Sequence, residues 1–316
     1  DIREFWQSGQ FHSFDGVDDI TIKYAVFIKT TNTKNLVIVQ GRSESYLKYQ
    51  ELSFEFFQQG YNVFLLDHRG QGLSGRMLAN PHKGYVSSFD DYAEDLHTFI
   101  SVHVLPYCSS DTKPYLLAHS MGCAIASIYL SKYANMIQSA VFSSPMFAIN
   151  TGGIPNTLAK ILIHSASLLE RIFTKKAWYF PGQKNHYFKP FTKNRLSHSQ
   201  LRYQLFRDLY NKETELQLGG VTIQWLKLAH QIKNKIFSFI PKISTPLLVM
   251  QAGEEQIVDN IAQNEFCQQL HHQHPNSCPN GKPVVIEGAW HELFFEKDQY
   301  RDQALEHCLT WFNRNC

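Results

Sequence analysis

The sequence predicts an α/β protein in which helices flank a mostly parallel β-sheet and a helical segment is inserted into this layout. Short apolar runs alternate with amphipathic segments along the chain, and the alternation stops once, between residues 142 and 247. Hydrophobic residues make up 43% of the 316 residues and charged residues 18%, which suits one large core. Continuous apolar strands separated by helices are typical of parallel sheets covered on both faces.

The predicted elements follow from the hydrophobic pattern. Seven apolar runs are the predicted strands, at residues 21–28, 36–39, 63–66, 115–118, 140–142, 247–250 and 284–286. Five amphipathic segments are the predicted helices between and after them, at residues 45–59, 88–104, 121–133, 260–273 and 299–313. The order of these elements predicts a core formed by residues 1–150 and 244–316, with residues 151–243 as an inserted helical cap.

The predicted cap is strongly basic. It holds 15 Lys and Arg against 4 Asp and Glu, a net charge of +11, whereas the rest of the chain holds 15 basic and 24 acidic residues, a net charge of −9. This asymmetry predicts peripheral contact with an anionic membrane, although a solvated helical surface explains it equally well. The sequence contains no run of about 18 or more apolar residues, so it predicts no membrane-spanning helix. We expect no nucleic-acid partner, and the oligomeric state stays open.

The six cysteines are scattered and form no CxxC pair. This usage predicts mostly reduced thiols and a cytoplasmic protein, and a disulfide between Cys267 and Cys278 is the alternative. The histidine-rich residues 271–274 are interpreted as a solvated polar loop rather than a metal site.

One stretch carries the strongest chemical signal. The strand at 115–118 runs through Ala118-His119-Ser120-Met121-Gly122 directly into the helix at 121–133. A central serine in such a strand–turn–helix junction takes a positive φ, and small residues two before and two after it leave space for neighbouring backbone. The helix N-terminus also faces any oxyanion formed at the serine. Ser120 is therefore the predicted nucleophile.

A base and an acid follow in the chain order that this junction requires. His291 lies in the loop after the last predicted strand and is the candidate base. Two carboxylates follow the strand at 247–250 at suitable positions: Glu255, which is favoured as the acid, and Asp259, which also suits a helix N-cap. Backbone N–H groups of Arg42, after the early strand and Gly41, and of Met121 are the candidate oxyanion donors.

With these residues assembled, the chain resembles the serine hydrolase family of monoacylglycerol lipases and lysophospholipases, and above all the bacterial lysophospholipases of the L-two type. The similar stretches are "GRSESYLKYQELSFEFFQQGYNVFLLDHRGQGLSGR", "LLAHSMG", "LVMQAGEEQIVDN" and "VVIEGAWHELFFEK". The resemblance implies the α/β-hydrolase fold, a Ser120–His291–Glu255 triad, a fatty acyl ester of a lysophospholipid or monoacylglycerol as substrate, and no metal or organic cofactor.

Three positions depart from the pattern of that family. Gln40 stands where a His is usual, Cys123 replaces a Gly after the serine, and Glu255 replaces an Asp, which keeps Asp259 as an alternative acid. The segment Asp67 to Gly75, which includes Arg69, is interpreted as structural. An esterase or aminopeptidase of the same fold, or a catalytically inactive binding protein, remains the alternative function.

The cap suggests where the acyl chain binds. Its large apolar residues predict a groove for one acyl chain, although several of them are needed for the core of the cap itself; they are Trp178, Tyr179, Phe180, Phe206, Trp225, Leu228, Phe237 and Phe239.

Overall fold

The computed structural model describes residues 1–150, 155–174 and 176–316, and it is built around one eight-stranded sheet. All seven predicted strands are present, and one further strand precedes them. The strands are β1 (Gln10–Asp15), β2 (Thr21–Phe27), β3 (Lys34–Val39), β4 (Tyr61–Leu66), β5 (Tyr115–His119), β6 (Ala140–Ser143), β7 (Leu247–Ala252) and β8 (Val284–Ile286).

The sheet has the order β1-β2-β4-β3-β5-β6-β7-β8. The first two strands pair antiparallel, β2 pairs antiparallel with β4, and every later pairing is parallel. Ala118 at the end of β5 lies beside Val39 of β3 on one side and Phe142 of β6 on the other. Because the carboxyl ends of parallel strands meet at one edge, the loops after β3, β5, β7 and β8 open onto the same side of the sheet.

Helices cover both faces of this sheet, as the continuous apolar strands predict. In β3, Val37 and Val39 point into one core while Leu36 and Ile38 point into the other. Residues of α3, α4 and α8 fill the first core, and residues of α1, α2 and α9 fill the second. The bounds are α1 (Ile2–Gln7), α2 (Gln50–Gln58), α3 (Phe89–Thr98), α4 (Met121–Lys132), α8 (Asn260–Gln273) and α9 (Asp298–Arg314).

Three α-helices lie between β6 and β7 in the described part of that segment, where the strand pattern stops. They are α5 (Asn156–Phe173), α6 (Gln200–Lys212) and α7 (Ile223–Phe239). The last of them is not separate from the core, because Trp225, Ala229, Ile232 and Ile236 are buried in the same cluster as α3 and α4. The division of the chain into core and cap stays a prediction, and its first boundary, at residues 151–154, lies outside the described residues.

The structure differs from the sequence-based expectation in two places. The N-terminal α1 and β1 were not predicted, and β1 forms the edge of the sheet with nearly all of its residues exposed. Residues 271–273 end α8, in agreement with the predicted helix at 260–273, so the interpretation of residues 271–274 as a polar loop is wrong for these three; the His271 Nδ1 lies 2.9 Å from the carbonyl oxygen of Ser277. The six cysteines are free thiols. Within the described ranges, no helix is both long and apolar enough to cross a membrane.

Candidate active site

Ser120 lies at the sharp turn between β5 and α4. Its backbone has φ 50° and ψ −115°, a conformation that is strained for any residue with a side chain. Two backbone hydrogen bonds fix the turn: the Ser120 N–H donates to the carbonyl oxygen of Ser143, and the Met146 N–H donates to that of Ser120, each at 3.0 Å. A Cβ at Gly122 would lie 2.6 Å from the carbonyl oxygen of Gln40, so only glycine allows α4 to start this close to β3.

The structure brings the three predicted side chains into one hydrogen-bonded row. The His291 Nε2 lies 2.9 Å from the Ser120 Oγ, and the His291 Nδ1 lies 2.7 Å from a carboxylate oxygen of Glu255. The side chains of His291 and Glu255 are almost completely buried. The loops after β5, β7 and β8 thus supply a hydroxyl, a carboxylate and an imidazole in the geometry that nucleophilic catalysis by serine requires.

Glu255, and not Asp259, is the carboxylate that contacts His291. One oxygen of Glu255 faces the imidazole, while the other accepts backbone N–H groups of Gln256 and Ile257 at 2.9 and 2.7 Å. Burial raises the pKa of Glu255, but the charge and hydrogen bond of His291, together with the backbone donors, outweigh burial and lower the pKa below its usual value. Asp259 instead caps α8, where its side chain accepts the Ile261 N–H at 2.8 Å.

The loop after β3 lies against the nucleophile. A Cβ on Gly41 would be 3.3 Å from the Ser120 Cβ. The Gly41 N–H is already used, since it donates to Glu44 at 2.6 Å, and the carbonyl of Gly41 accepts the Gln71 amide at 2.8 Å. In the described part of the chain, the backbone N–H groups of Arg42 and Met121 have no hydrogen-bond partner, which leaves both predicted donors free.

A buried charge network supports this loop. The Lys48 ammonium lies 2.6 Å from Glu44 and 2.7 Å from Glu292, the residue after His291, and all three side chains are at most 9% exposed. Tyr49 also donates to Glu44 at 2.7 Å. Burial raises the pKa of Glu44, but the charges of Lys48 and His119 and the hydrogen bonds of Lys48 and Tyr49 lower it to about 2. Sequence reasoning missed this network, although the i, i+4 spacing of Glu44 and Lys48 was a usable signal.

The same cluster is the candidate metal site among the described residues, because ligand atoms of Glu44, His119 and Glu292 lie within 4.8 Å of one another. Its chemistry fits an ammonium better than a metal ion: Lys48 already bonds both carboxylates. Burial also lowers the pKa of His119 to about 4, which keeps this imidazole neutral near pH 7.

A cavity of about 510 Å³ opens beside Ser120 and His291. Its apolar lining comes from both the core and the predicted cap, and includes Met146, Ile149, Leu196, Phe206, Trp225 and Ile257. Of the eight residues named for the predicted acyl groove, only Phe206 and Trp225 line this cavity among the described residues, and the groove itself stays a prediction. Leu228, Phe237 and Phe239 pack against the main core instead, and not into a separate core of the cap, which was the alternative role.

The segment that begins at Asp67 is structural, as the sequence indicates. Arg69 and Asp95 form a bidentate ion pair, with nitrogen–oxygen distances of 2.6 and 2.7 Å, and both side chains are 2% exposed. Asp67 accepts the Ser45 hydroxyl at 2.8 Å and the Tyr46 N–H at 2.6 Å. These contacts hold the Gly-rich turn against the loop after β3 and do not reach the Ser120 hydroxyl.

The sheet order and the Ser–His–Glu row define the class of protein: an α/β hydrolase. The family model described as serine aminopeptidase, S33 (Hydrolase_4) matches residues 30–298, and the chain belongs to that family. It is 35% identical to lysophospholipase L2 of Escherichia coli K12 over 314 residues, which cover 99% of this chain and 90% of that protein. It is 33% identical to a probable lysophospholipase L2 of Haemophilus influenzae over 316 residues, covering 99% and 95%.

Solved structures show the same fold. A soluble variant of monoglyceride lipase from Saccharomyces cerevisiae, in complex with a substrate analogue, superposes with a TM-score of 0.72 at 18% identity, covering 97% of this chain and 94% of that one. A monoacylglycerol lipase from Paleococcus ferrophilus gives a TM-score of 0.69 at 18% identity, covering 93% and 99%.

Proposed function

We propose that this protein is a serine hydrolase that cleaves the fatty acyl ester of single-chain glycerolipids, either lysophospholipids or monoacylglycerols. The observation that carries the proposal is the row from the Ser120 hydroxyl through His291 to Glu255, with distances of 2.9 and 2.7 Å, at the edge of a cavity that has an apolar lining.

The proposed reaction has two halves. The Ser120 Oγ attacks the ester carbonyl while the His291 Nε2 accepts the hydroxyl proton, and the Arg42 and Met121 N–H groups bind the oxyanion. The carbon–oxygen bond to glycerol then breaks, and His291 returns the proton to the departing alcohol. A water molecule, deprotonated by His291, attacks the acyl-enzyme in the same way and releases the fatty acid. Glu255 orients the imidazole and stabilises its charged form.

The substrate class rests on the relatives and on the cavity. Two relatives that cover nearly the whole chain are named lysophospholipase L2 or probable lysophospholipase L2, and a monkeypox virus relative, 28% identical over 288 residues, is named a monoglyceride lipase homolog. Met146, Ile149 and Trp225 give the cavity an apolar surface for an acyl chain.

The aminopeptidase alternative is supported by the description of the family alone. An aminopeptidase needs an acidic group for the substrate amine. The two carboxylates that line the cavity, Glu44 and Glu292, both bind the Lys48 ammonium and so already have a cationic partner. A catalytically inactive protein is the remaining alternative, and the intact Ser–His–Glu row argues against it.

Two measurements test the proposal. A fluorophosphonate probe should label the wild-type protein and not Ser120→Ala, and an unlabelled wild type would point to an inactive protein. Hydrolysis rates are then compared on lysophosphatidylcholine, lysophosphatidylethanolamine, monoacylglycerol, a short-chain ester and a prolyl arylamide, by acid release from the esters and arylamine release from the amide. We expect the first three to be the better substrates, while preference for the short ester or the arylamide would contradict the lipid assignment.

We also propose that the protein works in the cytoplasm as a peripheral protein on an anionic membrane such as the inner membrane. The free cysteines support the compartment. One face of α5 supports the contact, since its apolar side chains recur at helical spacing and are 47–71% exposed: Leu158, Ile161, Leu162, Leu168, Leu169, Ile172 and Phe173. The net charge of +11 over residues 151–243 complements an anionic lipid surface.

Vesicle sedimentation tests the membrane contact. We expect the wild type to bind vesicles that contain phosphatidylglycerol more tightly than phosphatidylcholine vesicles, with binding weakened by salt. The double variant Ile161→Gln/Ile172→Gln should bind at least about tenfold more weakly, because each side chain contributes apolar burial of the order of 1 kcal/mol. The matched control is Ile261→Gln on α8, which is 66% exposed. Equal binding to both vesicle types, insensitive to salt, would refute the proposal.

A further inference from the structure

Most of the arginines that are not exposed have their charge or their donors satisfied by other described residues of this protein. Six such arginines occur among the described residues. Three pair with carboxylates and one donates to four backbone carbonyls: Arg69 with Asp95, Arg202 with Glu51, Arg301 with Glu55, and Arg76 with the carbonyls of Gly72, Ser74, Pro81 and Glu215. Arg42 and Arg207 are the two exceptions within the described ranges.

Both exceptions line the cavity that holds Ser120. The Arg42 guanidinium makes one hydrogen bond, to the carbonyl of Gly219 at 2.6 Å, and lies 5.2 Å from the Trp225 ring. The Arg207 guanidinium lies 4.8 Å from the rings of Tyr203 and Phe206. In each arginine the Nε is buried and has no hydrogen-bond partner among the described residues, and neither guanidinium pairs with a carboxylate there.

The charges around the cavity leave these arginines without a counterion. Among the described residues, four cationic side chains line it, namely Arg42, Lys184, Lys189 and Arg207, against the two carboxylates Glu44 and Glu292. Both carboxylates are bound by Lys48, which belongs to the same network. Burial lowers the pKa of Arg42 to about 10, because the guanidinium is poorly solvated; the nearby Tyr92 and Tyr179 offset this only in part. An anion bound in the cavity would supply the counterion that each of these arginines lacks among the described residues.

The position of Arg42 indicates which part of the substrate carries that anion. Its backbone N–H is a proposed donor to the reacting carbonyl, so its side chain starts beside the ester and reaches along the cavity wall to Gly219. In a lysophospholipid, the distance from the ester carbonyl along the glycerol backbone to the phosphorus is comparable to the length of this arginine side chain. Planar guanidinium groups are the side chains best suited to bind phosphate oxygens.

We propose that Arg42 and Arg207 form a subsite for the phosphodiester of a lysophospholipid, which makes lysophospholipids and not monoacylglycerols the preferred substrates. This inference rests on the proposed ester hydrolysis. The subsite recognises the phosphate that all lysophospholipids share, so it acts on zwitterionic and anionic headgroups alike.

The test measures kcat/KM on lysophosphatidylcholine, lysophosphatidylglycerol and monoacylglycerol with the same acyl chain. Hydrogen bonds to charged groups correspond to about a tenfold to hundredfold change in binding. Arg207→Gln should therefore reduce kcat/KM on both lysophospholipids, relative to monoacylglycerol, by that factor and mainly through KM. Arg42→Gln should change the same ratio, and Arg207→Lys should restore part of it. Arg195→Gln, which removes an exposed arginine that is not part of the cavity lining, should leave all three values within about twofold.

A second measurement avoids turnover. sn-Glycero-3-phosphocholine should slow fluorophosphonate labelling of the wild type at concentrations where glycerol and inorganic phosphate do not, and Arg207→Gln should abolish that protection. Ratios that stay unchanged in both arginine variants would overturn the subsite, as would a decrease confined to lysophosphatidylglycerol, which would indicate attraction by net charge alone. A wild type that hydrolyses none of the lipids would instead refute the proposed function.

Discussion

Glu255→Gln is the most informative single substitution, because the surroundings of the carboxylate dictate how the amide must orient. One oxygen of Glu255 accepts backbone N–H groups of Gln256, Ile257 and Val258, and the other faces the His291 Nδ1 at 2.7 Å. In the variant, the amide oxygen has to face the backbone donors, so the NH₂ group faces His291. The imidazole then has to accept at Nδ1 and carry its proton on Nε2, which prevents it from accepting the Ser120 proton.

The expected decrease in kcat follows from the same geometry. Two unit charges 2.7 Å apart interact by about 6 kcal/mol at an effective dielectric constant of about 20, and this attraction is available only while the imidazole is charged. Since each tenfold change in rate corresponds to about 1.36 kcal/mol, kcat should decrease by about 10⁴-fold. Glu255→Asp keeps the charge but withdraws it by one methylene group, and a displacement of about 1 Å should reduce kcat by roughly 10²-fold.

The assay is kcat on a soluble short-chain ester, with thermal unfolding measured on every variant to show that the fold is retained. Asp259→Asn is the matched control, because asparagine also caps a helix, and its kcat should stay within about twofold of wild type. A Glu255→Gln enzyme within tenfold of wild type, or an Asp259→Asn enzyme equally impaired, would show that the assignment of the acid is wrong.

Three further substitutions test the framework around the site. Gly122→Ala places a methyl group against the carbonyl oxygens of β3, so both the unfolding temperature and kcat should decrease, whereas a fully active, equally stable variant would contradict the close approach. Asp95→Ala leaves the buried Arg69 with only the more distant Asp91 carboxylate, at 4.0 Å, and should lower the free energy of urea unfolding by about 3–5 kcal/mol; a loss below about 1 kcal/mol would be inconsistent with a buried ion pair to Asp95. Burial lowers the pKa of His68 to about 4, so between pH 4 and 6.5 the unfolded chain binds the extra proton and stability falls as the pH falls. In His68→Gln the loss of stability between pH 7.5 and pH 5 should therefore be smaller by about 2 kcal/mol, and an unchanged pH dependence would argue against a neutral His68 in the folded protein.

The parts of the site that follow from local pattern were predictable from sequence. Ser120 lies at a strand-to-helix junction flanked by small residues, and His291 follows the last strand, so order along the chain was enough to select both. Glu255 was only favoured over Asp259, because both lie in one loop and both suit plausible roles. The choice between these two carboxylates depends on the path of the loop, because the loop turns Glu255 toward His291 and leaves Asp259 at the start of α8.

The parts that depend on tertiary contact were not predictable. Strand β1 has no buried face and therefore gives no hydrophobic alternation to detect. The aromatic residues of the cap were expected to line an acyl groove, but α7 turns Phe237 toward the main core, and composition does not reveal which face of a helix docks. Arg207 gave no sequence signal, since an unpaired arginine differs from a paired one only through neighbours that are distant along the chain.

The Glu44–Lys48–Glu292 cluster explains how two loops from opposite ends of the chain keep one geometry. Burying two carboxylates and an ammonium has a desolvation cost that their attraction offsets only with good hydrogen bonds, so the cluster is poor evidence for stability. The effect of the cluster on the orientation of the two loops is clearer. Glu44 accepts the Gly41 N–H, whereas the Arg42 N–H has no partner among the described residues, and Lys48 joins Glu44 to Glu292, the residue next to the base. The loop that would bind the oxyanion and the loop that carries His291 are thus held by a single ammonium group.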